Sequence, residues 1–405
     1  MRDGWTETTL GDIAEVVGGG TPSTSKEEFW NGDVVWLTPT EVTAIDGKVI
    51  SDSKRKITQA GLQSSGARVL PVGTVILTSR ASVGFVALAG TELTTNQGFQ
   101  SLIPTDLVDG VFLMFWIQMN RSEFESRSAG STFKEISKSN VKSIAMNLPP
   151  LAEQKRIVDV VTSVDTYIDA LQQQADTART ARDAVLHELL SAGGDDWTET
   201  TLGEVGASGL FSDGDWVESK DQDPKGACRL IQLADIGDGV FLDKSSRWLN
   251  EEQFQRLRCT ALSPGDILIA RMPDPIARAC LFPGYLPVSA TVVDVAILRC
   301  GKGHFPDFLI MLINDVTFRA AANSLITGTT RQRISRSNLS ALTFSLPPME
   351  EQKRIVEIVS SMDDVIQSTE QAVVDAKSLR SGLLSDLLSG EHEIPESYDR
   401  FLKAA

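Results

Sequence analysis

Two stretches decide how this chain folds: NLPPLAEQKRIVDVVTSVDTYIDA at residues 147–170 and SLPPMEEQKRIVEIVSSMDDVIQS at residues 345–368. They are versions of one sequence, because 13 of their 24 aligned positions are identical. In each, a Pro-Pro pair precedes apolar residues at alternating spacings of four and three. That pattern predicts a long helix that begins just after the prolines.

Two further blocks repeat in the same order. DGWTETTLGD (3–12) returns as DDWTETTLGE (195–204), and GSTFKEISKSNV (130–141) returns as GTTRQRISRSNL (328–339). Three matched blocks indicate an internal duplication. The predicted order is a first domain over 1–148, a helix over 149–192, a second domain over 193–346, a helix over 347–390 and a tail over 391–405.

The domain interiors differ from the helical segments in pattern. Short β-branched runs such as VVWLTPTEV (34–42) and LPVGTVILTSR (70–80) alternate with Gly and Pro, which predicts strands joined by turns. The fold class expected is therefore α+β, with two strand-rich mixed domains and two long helices. Since each helix carries one apolar stripe, the duplication predicts an antiparallel two-helix coiled coil that separates the domains, with pseudo-two-fold symmetry. It also places the end of the second helix near Trp5.

The apolar stripe of each helix holds the candidates for helix pairing or for docking of a partner. They are Ile157, Val161, Val164, Ile168 and Arg182 in the first helix, and Ile355, Val359, Met362, Ile366 and Arg380 in the second. The two arginines occupy the same slot of the stripe. One interpretation is a guanidinium that reaches past the stripe to solvent. The other is a device that fixes the register, or a contact with a third subunit.

Composition limits the function classes. The chain has 405 residues with a formal net charge of -16, which argues against a protein that coats nucleic acid unaided. The longest apolar run, VFLMFWI at 111–117, is too short to span a bilayer, and the N-terminus lacks the apolar stretch of a secretory signal. The four cysteines contain no CxxC pair, so no metal site is predicted. A cytoplasmic protein with buried thiols and no membrane partner is expected.

Several blocks, taken together, resemble the specificity subunit of type I restriction–modification enzymes. They include GGGTPSTSKEEFWNGDVVWLTP (18–39), TNQGFQSL (95–102) and LPPLAEQKRIV (148–158), and the duplicated layout covers the whole chain. The resemblance implies two target recognition domains, each reading one half of a bipartite site in double-stranded DNA. It also implies that the coiled coil sets the spacing and docks two modification (methyltransferase) subunits. The second domain lacks the GGGTPS and TNQGF blocks, so residue roles do not transfer to it.

The resemblance also sets what the chain is expected to bind. S-adenosylmethionine is expected on the modification subunits, and no cofactor on this chain. Restriction subunits would join for ATP-dependent translocation and cleavage. NLPP (147–150) and SLPP (345–348) differ from the Asn/Asp-Pro-Pro-aromatic motif of amino-methyltransferases, because Leu precedes the prolines and no aromatic residue follows. The chain is therefore predicted to be non-catalytic.

Positive clusters in this acidic chain are the candidate DNA contacts, since Arg and Lys neutralise phosphates and Arg or Gln can read purine edges. The clusters and their polar neighbours comprise Lys54, Arg55, Lys56, Thr132, Lys134, Lys138, Thr330, Arg331, Gln332, Arg333 and Arg336. The blocks that carry the resemblance add Arg80, Asn96 and Gln97. For each cluster the competing interpretation is a solvated charged loop. For the whole chain the competing function is a coiled-coil scaffold that binds no DNA, and a stand-alone methyltransferase is a third hypothesis.

Overall fold

The computed structural model describes residues 4–130, 134–329 and 331–402. The chain divides into two compact units. Unit 1 combines Met1–Leu171 with Gln371–Ala405, and unit 2 comprises Gln172–Glu370. Each unit therefore contains one globular domain and a portion of both long helices. The predicted boundaries between domains and helices stay predictions.

The strands and helices alternate irregularly along the chain. In the first half the strands are β1 (Thr6–Thr9), β2 (Ala14–Gly18), β3 (Trp30–Leu37), β4 (Val49–Ile50), β5 (Lys56–Ile57), β6 (Val75–Leu77), β7 (Val86–Ala89), β8 (Thr94–Thr95), β9 (Gln100–Pro104) and β10 (Ala145–Leu148). The helices there are α1 (Leu10–Ile13), α2 (Pro39–Ala44), α3 (Gln59–Gln63), α4 (Gly110–Met119), α5 (Arg121–Ser126), α6 (Lys138–Lys142) and α7 (Leu151–Ser191).

The second half repeats most of this order. Its strands are β11 (Thr198–Thr201), β12 (Leu210–Asp213), β13 (Cys228–Ile231), β14 (Trp248–Leu249), β15 (Ile267–Ala270), β16 (Ala279–Leu281), β17 (Ser289–Thr291), β18 (Val295–Arg299) and β19 (Thr343–Leu346). Its helices are α8 (Leu202–Val205), α9 (Glu251–Arg256), α10 (Pro306–Asn314), α11 (Val316–Ser324), α12 (Arg336–Ser340), α13 (Met349–Ser389) and α14 (Asp399–Leu402). Short 3₁₀ turns cover Glu27–Phe29, Ser219–Asp221, Leu233–Asp235 and Glu396–Tyr398.

The sheets of the two units correspond one to one. Unit 1 has sheets in the orders β2-β9-β6-β7-β4, β5-β3-β8 and β1-β10, and unit 2 has β12-β18-β15-β16, β14-β13-β17 and β11-β19. Most pairs are antiparallel, but β3 runs parallel to β8 and β13 runs parallel to β17. The predicted α+β class with internal duplication is confirmed.

The duplicated TETTLG segment forms the same local structure twice. β1 pairs with β10 so that Thr6 faces Leu148, and β11 pairs with β19 so that Thr198 faces Leu346. Thr9 and Thr201 then cap the short helices that follow, each in a capping box with the acidic residue three positions on. Equal sequence therefore gives equal register in both units.

Each unit has its own hydrophobic core around an apolar helix. In unit 1 the side chains of Phe112 and Leu113 on α4 are completely buried, and in unit 2 those of Phe308 and Leu309 on α10 are equally buried. Because these helices are apolar on nearly all sides, they lie inside their domains and not on the surface. The long helices close the cores from one side.

The long helices run antiparallel within each unit, as predicted. In unit 1, Asp165 of α7 pairs with Arg380 of α13, and Ile168, further along α7, packs against Val373 and Ala376, which come earlier in α13. In unit 2, Arg179 pairs with Glu370 and Arg182 pairs with Asp363. In both units the residue numbers of one helix rise as those of its partner fall.

The C-terminal end of α13 belongs to the core of unit 1. Leu387 and Leu388 lie in the same cluster as Leu10, and Ile394 of the following tail is buried there too. This agrees with the expectation that the helix ends near Trp5, which is itself buried. Within the described residues, the structure contains no helix that is long and apolar enough to cross a membrane.

Candidate nucleic-acid interface

The first candidate surface is an open cavity in unit 1. It has a volume of about 320 Å³ and lies where the parallel strands β3 and β8 end. Parallel strands leave a crevice at their carboxyl ends, and polar side chains that follow them face it. The lining includes Thr40 and Thr43 of α2, Arg80 after β6, and Asn96 with Gln97 after β8. Three predicted residues, Arg80, Asn96 and Gln97, thus meet in one place.

Residues 129–130 and 134–136, which we call strap 1, hold Arg80 at the edge of this cavity. Ala129 and Glu135 exchange two backbone hydrogen bonds of 2.9 Å, which join the two parts of the strap. The Arg80 guanidinium lies 2.8 Å (Nε to Oε1) from the Glu135 carboxylate. The Lys134 carbonyl accepts a 3.0 Å hydrogen bond from the backbone N–H of Ala81, and its side chain is exposed. Arg80 lines the cavity, and the Lys134 backbone is bonded to Ala81, which also lines it.

The amides of the first cavity are partly engaged. Asn96 Oδ1 accepts a 2.8 Å hydrogen bond from the backbone N–H of Gly98, and Gln97 Oε1 accepts a hydrogen bond from the Thr21 hydroxyl. These contacts engage the oxygen of each side-chain amide, and each NH₂ group still has two N–H donors. Asn and Gln are the side chains that pair bidentately with adenine.

Lys54, Arg55 and Lys56 form a separate cation cluster beside α2. The Arg55 guanidinium stacks over the Trp30 ring, 3.9 Å from its centroid, and Lys56 Nζ lies 2.9 Å from Asp52. Lys54 donates its backbone N–H to Glu41 at 2.8 Å, which ties the cluster to α2. The structure thus places these three residues next to the cavity-lining helix but in contacts of their own.

The second candidate surface is a larger cavity in unit 2, with a volume of about 670 Å³. It lies where the parallel strands β13 and β17 end, which is the position that corresponds to the first cavity. Its lining includes Trp216, Gln232, Asp294, Arg331 and Arg333. Two predicted residues, Arg331 and Arg333, therefore reach this cavity.

Strap 2, residues 327–329 and 331–334, is the counterpart of strap 1. Thr327 and Arg333 exchange two backbone hydrogen bonds of 3.0 Å, and Gly328 takes a positive φ of +99° at the turn. The strap is anchored to the buried Arg271, whose carbonyl accepts a 3.0 Å hydrogen bond from the backbone N–H of Ile334 and whose Nε donates to the Ile334 carbonyl at 3.1 Å. Arg333 in strap 2 thus occupies the position that Glu135 occupies in strap 1.

Positive charge is concentrated around strap 2. Asp294 pairs with Arg331 and Arg333, and Asp213 pairs with Arg271 and lies 4.0 Å from Arg336. These four arginines are thus paired with only two carboxylates, so the local charge is positive although the chain as a whole is acidic. Burial lowers the pKa of Arg271 from its ordinary value, against the opposing effect of Asp213. The guanidinium stays charged because even a lowered arginine pKa lies far above neutral pH.

The remaining predicted DNA contacts lie at or outside these cavities. Lys138 and Arg336 are the first residues of α6 and α12, and Arg336 borders a separate depression with Gly203 and Phe211. Gln332 is exposed on strap 2. Thr132 and Thr330 lie outside the described residues. All predicted DNA-contact roles stay predictions.

The long-helix stripe is largely buried within the two units. Ile157 and Val161 lie in the core of unit 1, and Ile355 and Val359 lie in the core of unit 2. Val164 and Ile168 pack in a smaller helix–helix cluster in unit 1, Ile366 is 8% exposed and Met362 is half-buried. Their side chains hold helices and domains together, and a docking role for them stays a prediction.

The two stripe arginines form matching ion pairs. Arg182 meets Asp363 with Nε–Oδ1 at 2.9 Å, and Arg380 meets Asp165 with Nη2–Oδ2 at 2.9 Å, each with a second guanidinium nitrogen on the same carboxylate. Burial acts to lower the pKa of Arg182, but the hydrogen bonds and charges of Asp363 and Asp183 together outweigh burial, so the pKa lies above its ordinary value. Bidentate pairs repeated at corresponding positions favour the register device over solvent-reaching side chains.

The family model described as type I restriction modification DNA specificity domain matches the chain twice, over residues 2–178 and 194–375. The chain belongs to this family. It is a specificity subunit of a type I restriction–modification system, with two target recognition domains. The competing interpretation as a scaffold that binds no DNA is not favoured.

Individual relatives agree along the whole chain. The type I restriction enzyme MjaIX specificity subunit of Methanocaldococcus jannaschii is 25% identical over 413 residues, covering 97% of this chain and 94% of the relative. The HsdS subunit from Thermoanaerobacter tengcongensis superposes with a TM-score of 0.54 at 19% identity, covering 97% and 98% of the two chains. A chain solved in work on assembly and conformational transition of the type I R-M system gives a TM-score of 0.64 at 18% identity, covering 96% and 98%. These structures share the fold.

Sequence reasoning missed most of the second cavity of this specificity subunit, since it predicted only Arg331 and Arg333 among the lining residues. Trp216, Gln232 and Asp294 come from three segments that are distant in sequence and have no counterpart among the repeated blocks. Arg271 could have been found, because LPVGTVILTSR (70–80) aligns with LSPGDILIAR (262–271) and places it opposite Arg80. The missing signal for the others is spatial, since the parallel pairing of β13 and β17 brings their segments together.

Proposed function

We propose that unit 1 and unit 2 each read one half of a bipartite site in double-stranded DNA through the two cavities and their straps. The observation that carries this is that corresponding cavities, bordered by equivalent straps, have different linings. Neutral amides and hydroxyls dominate the first, with Asn96 and Gln97, whereas the second has Trp216 beside Arg331 and Arg333. Sites of common origin and different chemistry are suited to two different base sequences.

The net charge of the whole chain fits a reader that works inside a larger assembly. At -16 the protein repels DNA at long range, while the cavity rims carry local positive charge. We expect weak binding by the isolated chain and tight, salt-sensitive binding once partner subunits add positive surface around the duplex.

The test is footprinting of the complex assembled with its modification subunits. We expect protection of two short blocks separated by an unprotected spacer. Replacing residues 1–148 by those of another specificity subunit should change one block and leave the other unchanged. A complex that protects no bipartite sequence, or an exchange that alters both blocks together, would contradict the proposal.

We further propose that two modification subunits dock on the long helices at related positions. Tyr167 on α7 and Val365 on α13 occupy the same place in the duplicated sequence, and both are more than half exposed, at 58% and 55%. Apolar side chains exposed at equivalent positions of two copies fit two copies of one protein partner. The buried stripe, by contrast, is engaged within the units.

This docking surface can be tested with single and double substitutions. Tyr167→Lys and Val365→Lys should each remove one modification subunit from the complex, and the double variant should remove both, as measured by native mass spectrometry. Gln173→Lys, at an exposed polar position of α7, serves as the control and should leave the stoichiometry unchanged. Equal loss of both subunits from either single variant would show that the two positions are not separate docking sites.

The chain itself is proposed to be non-catalytic and to bind no cofactor, with S-adenosylmethionine carried by the modification subunits. Support comes from family membership and from the Leu-Pro-Pro sequences, which open α7 and α13 instead of forming a methyltransferase site. Calorimetry should detect S-adenosylmethionine binding to the assembled complex and none to the isolated chain. Binding by the isolated chain would restore the methyltransferase hypothesis.

A further inference from the structure

The second cavity contains a carboxylate that holds two arginines at once. Asp294 is 5% exposed, and its Oδ2 accepts a 2.7 Å hydrogen bond from Nη2 of Arg331. Its other oxygen lies 3.6 Å from Nη1 of Arg333. The arginine side chains themselves remain open to a ligand, with 69% of Arg331 and 44% of Arg333 exposed.

This arrangement fixes the Arg331 guanidinium by a hydrogen bond and keeps the Arg333 guanidinium close by charge. Strap 2 holds the Arg333 backbone, and Asp294 lies in the segment between β17 and β18. A long side chain that is already held in place loses less conformational entropy when it binds. The N–H groups that Asp294 does not engage are directed away from it, as the planar fork of a guanidinium requires.

The chemistry of this pair matches one base better than the others. A guanidinium donates two parallel hydrogen bonds to O6 and N7 of guanine, whereas adenine presents an amino donor at the O6 position. A purely electrostatic phosphate contact would gain from a full positive charge, but Asp294 partly neutralises both arginines. Directional donors with reduced net charge favour base readout over backbone binding.

Among the described residues, the cavity of unit 1 has no buried carboxylate that is paired with two arginines. The segment after β8 reads Asn96-Gln97-Gly98 and carries no carboxylate, and Arg80 pairs with Glu135 of its own strap. The carboxylate-held pair is thus a property of unit 2 alone among the described cavity linings.

We propose that Arg331 and Arg333 read guanine in the half-site bound by unit 2, and that Asp294 is the residue that positions them. This inference rests on the proposed DNA-reading function and names the base that one cavity selects. Arg331 and Arg333 contact the base edge, and Asp294 acts through them.

The experiment uses the full chain assembled with its modification subunits and a pool of duplexes with randomised sequence. Bound duplexes are sequenced for wild type, Arg331→Gln and Asp294→Asn. The unit 2 half-site is the one that persists when residues 1–148 are exchanged. Both variants should lose about tenfold in discrimination for guanine at one or two positions of that half-site, the scale of one bidentate pair. The other half-site should be unchanged.

A matched control is available in the same unit. Arg256 is 57% exposed and lies 2.8 Å from Asp221, which is also nearly buried, but Arg256 is not part of the described cavity lining. Arg256→Gln should therefore keep the selected motif. Because Arg331 is mostly exposed, Arg331→Gln tests the inference even if Asp294→Asn destabilises unit 2.

Three results would overturn the inference while leaving the proposed function intact. They are an unchanged guanine preference in Arg331→Gln, a unit 2 half-site without a G·C pair, and uniform weakening of all sequences, which would identify a phosphate contact. Failure of the proposed function looks different, because the wild-type complex would then select no bipartite motif at all.

Discussion

Units 1 and 2 make the same contacts where the long helices begin. In unit 1, Gln154 Oε1 accepts a 2.8 Å hydrogen bond from the backbone N–H of Asp109, and its Nε2 donates to the first proline of the Pro-Pro pair at 2.8 Å. In unit 2, Gln352 repeats both bonds with the same lengths, accepting from Phe305. Each buried amide hydrogen-bonds both to its domain and to the start of its long helix. The helix therefore leaves the domain in the same way in both units.

Two residues further along the helices, the units differ. The Arg156 side chain is 7% exposed, because the C-terminal tail covers it through the Ile394 carbonyl at 2.8 Å and Asp399 at 3.1 Å. The corresponding Arg354 is 68% exposed and pairs with Glu351 on its own helix. The duplication thus keeps the helix-entry contacts equal in the two units, whereas the tail and the cavity linings outside these contacts differ.

The largest expected effect tests whether the two cores are equivalent. Phe112 and Phe308 are completely buried at matching places on α4 and α10. Phe112→Ala and Phe308→Ala should each destabilise their own unit by about 3–5 kcal/mol, through lost burial and a residual cavity. Hydrogen–deuterium exchange read from peptides of each unit measures the loss separately in unit 1 and unit 2.

The control for the core variants is Val316→Ala, since that side chain is 70% exposed and its loss should change stability by less than about 0.5 kcal/mol. If Phe112→Ala raised exchange equally in peptides of both units, the units would not have independent cores. If the two variants lowered the free energy of unfolding by amounts that differ by several kcal/mol, α4 and α10 would occupy corresponding positions but would not be packed equally well.

The helix–helix ion pairs provide a second, smaller test of equivalence. The Arg380 side chain is 21% exposed and that of Arg182 is 22% exposed, and each holds a partly exposed aspartate. Asp165→Ala and Asp363→Ala should each cost about 1–2 kcal/mol, between the values of exposed and buried ion pairs. Hydrogen–deuterium exchange rates in the middle of α7 and α13 measure this loss of stability.

A carboxylate on the same arginine serves as the control for the ion pairs. Asp183 lies 3.2 Å from Arg182 but is 73% exposed, so Asp183→Ala should have almost no effect. A large loss from Asp183→Ala together with none from Asp363→Ala would assign the role of Arg182 to its own helix and remove the register interpretation.

How much of the molecule the sequence could predict depended on the range of the interactions. Local periodicity and the internal sequence repeat predict the long helices and their antiparallel pairing. The repeat also accounts for the matching registers of β1 and β11. The ion-pair partners of the stripe arginines, Asp165 and Asp363, required knowledge of how the helices are aligned. That alignment is set by packing between segments more than 180 residues apart, which no local pattern encodes.

The candidate interface divides in the same way. Arg331 and Arg333 were predicted because clustered cations are conspicuous in an acidic chain, whereas Arg80 was predicted from the blocks that carry the family resemblance. Asp294 was not predicted, since a lone aspartate between strands gives no signal until the fold places it beneath two arginines. In unit 2 the recognition surface has diverged from unit 1, so the repeat that reveals the scaffold carries no information about the cavity.

The smallest expected effect concerns the tail that distinguishes unit 1. The Tyr398 hydroxyl donates a 2.6 Å hydrogen bond to Asp159 Oδ2, and this bond raises the pKa of Tyr398 to about 12. Tyr398→Phe should weaken tail docking by about 1 kcal/mol and speed exchange in residues 394–402 about fivefold. The last turns of α13 should keep their protection, because their apolar side chains stay in the core.

The pH dependence of tail docking follows from the same bond. Since folding raises the pKa above the ordinary value of about 10, the stabilisation is complete below pH 10 and is lost as the pH rises toward 12. Ultraviolet titration should show one tyrosine ionising near pH 12 in wild type, and this ionisation should move to lower pH in Asp159→Ala. If no tyrosine ionises near pH 12 in wild type, the bond from Tyr398 to Asp159 does not hold the tail over Arg156 in solution. The two helix entries would then be equivalent after all, and the difference between Arg156 and Arg354 would vanish.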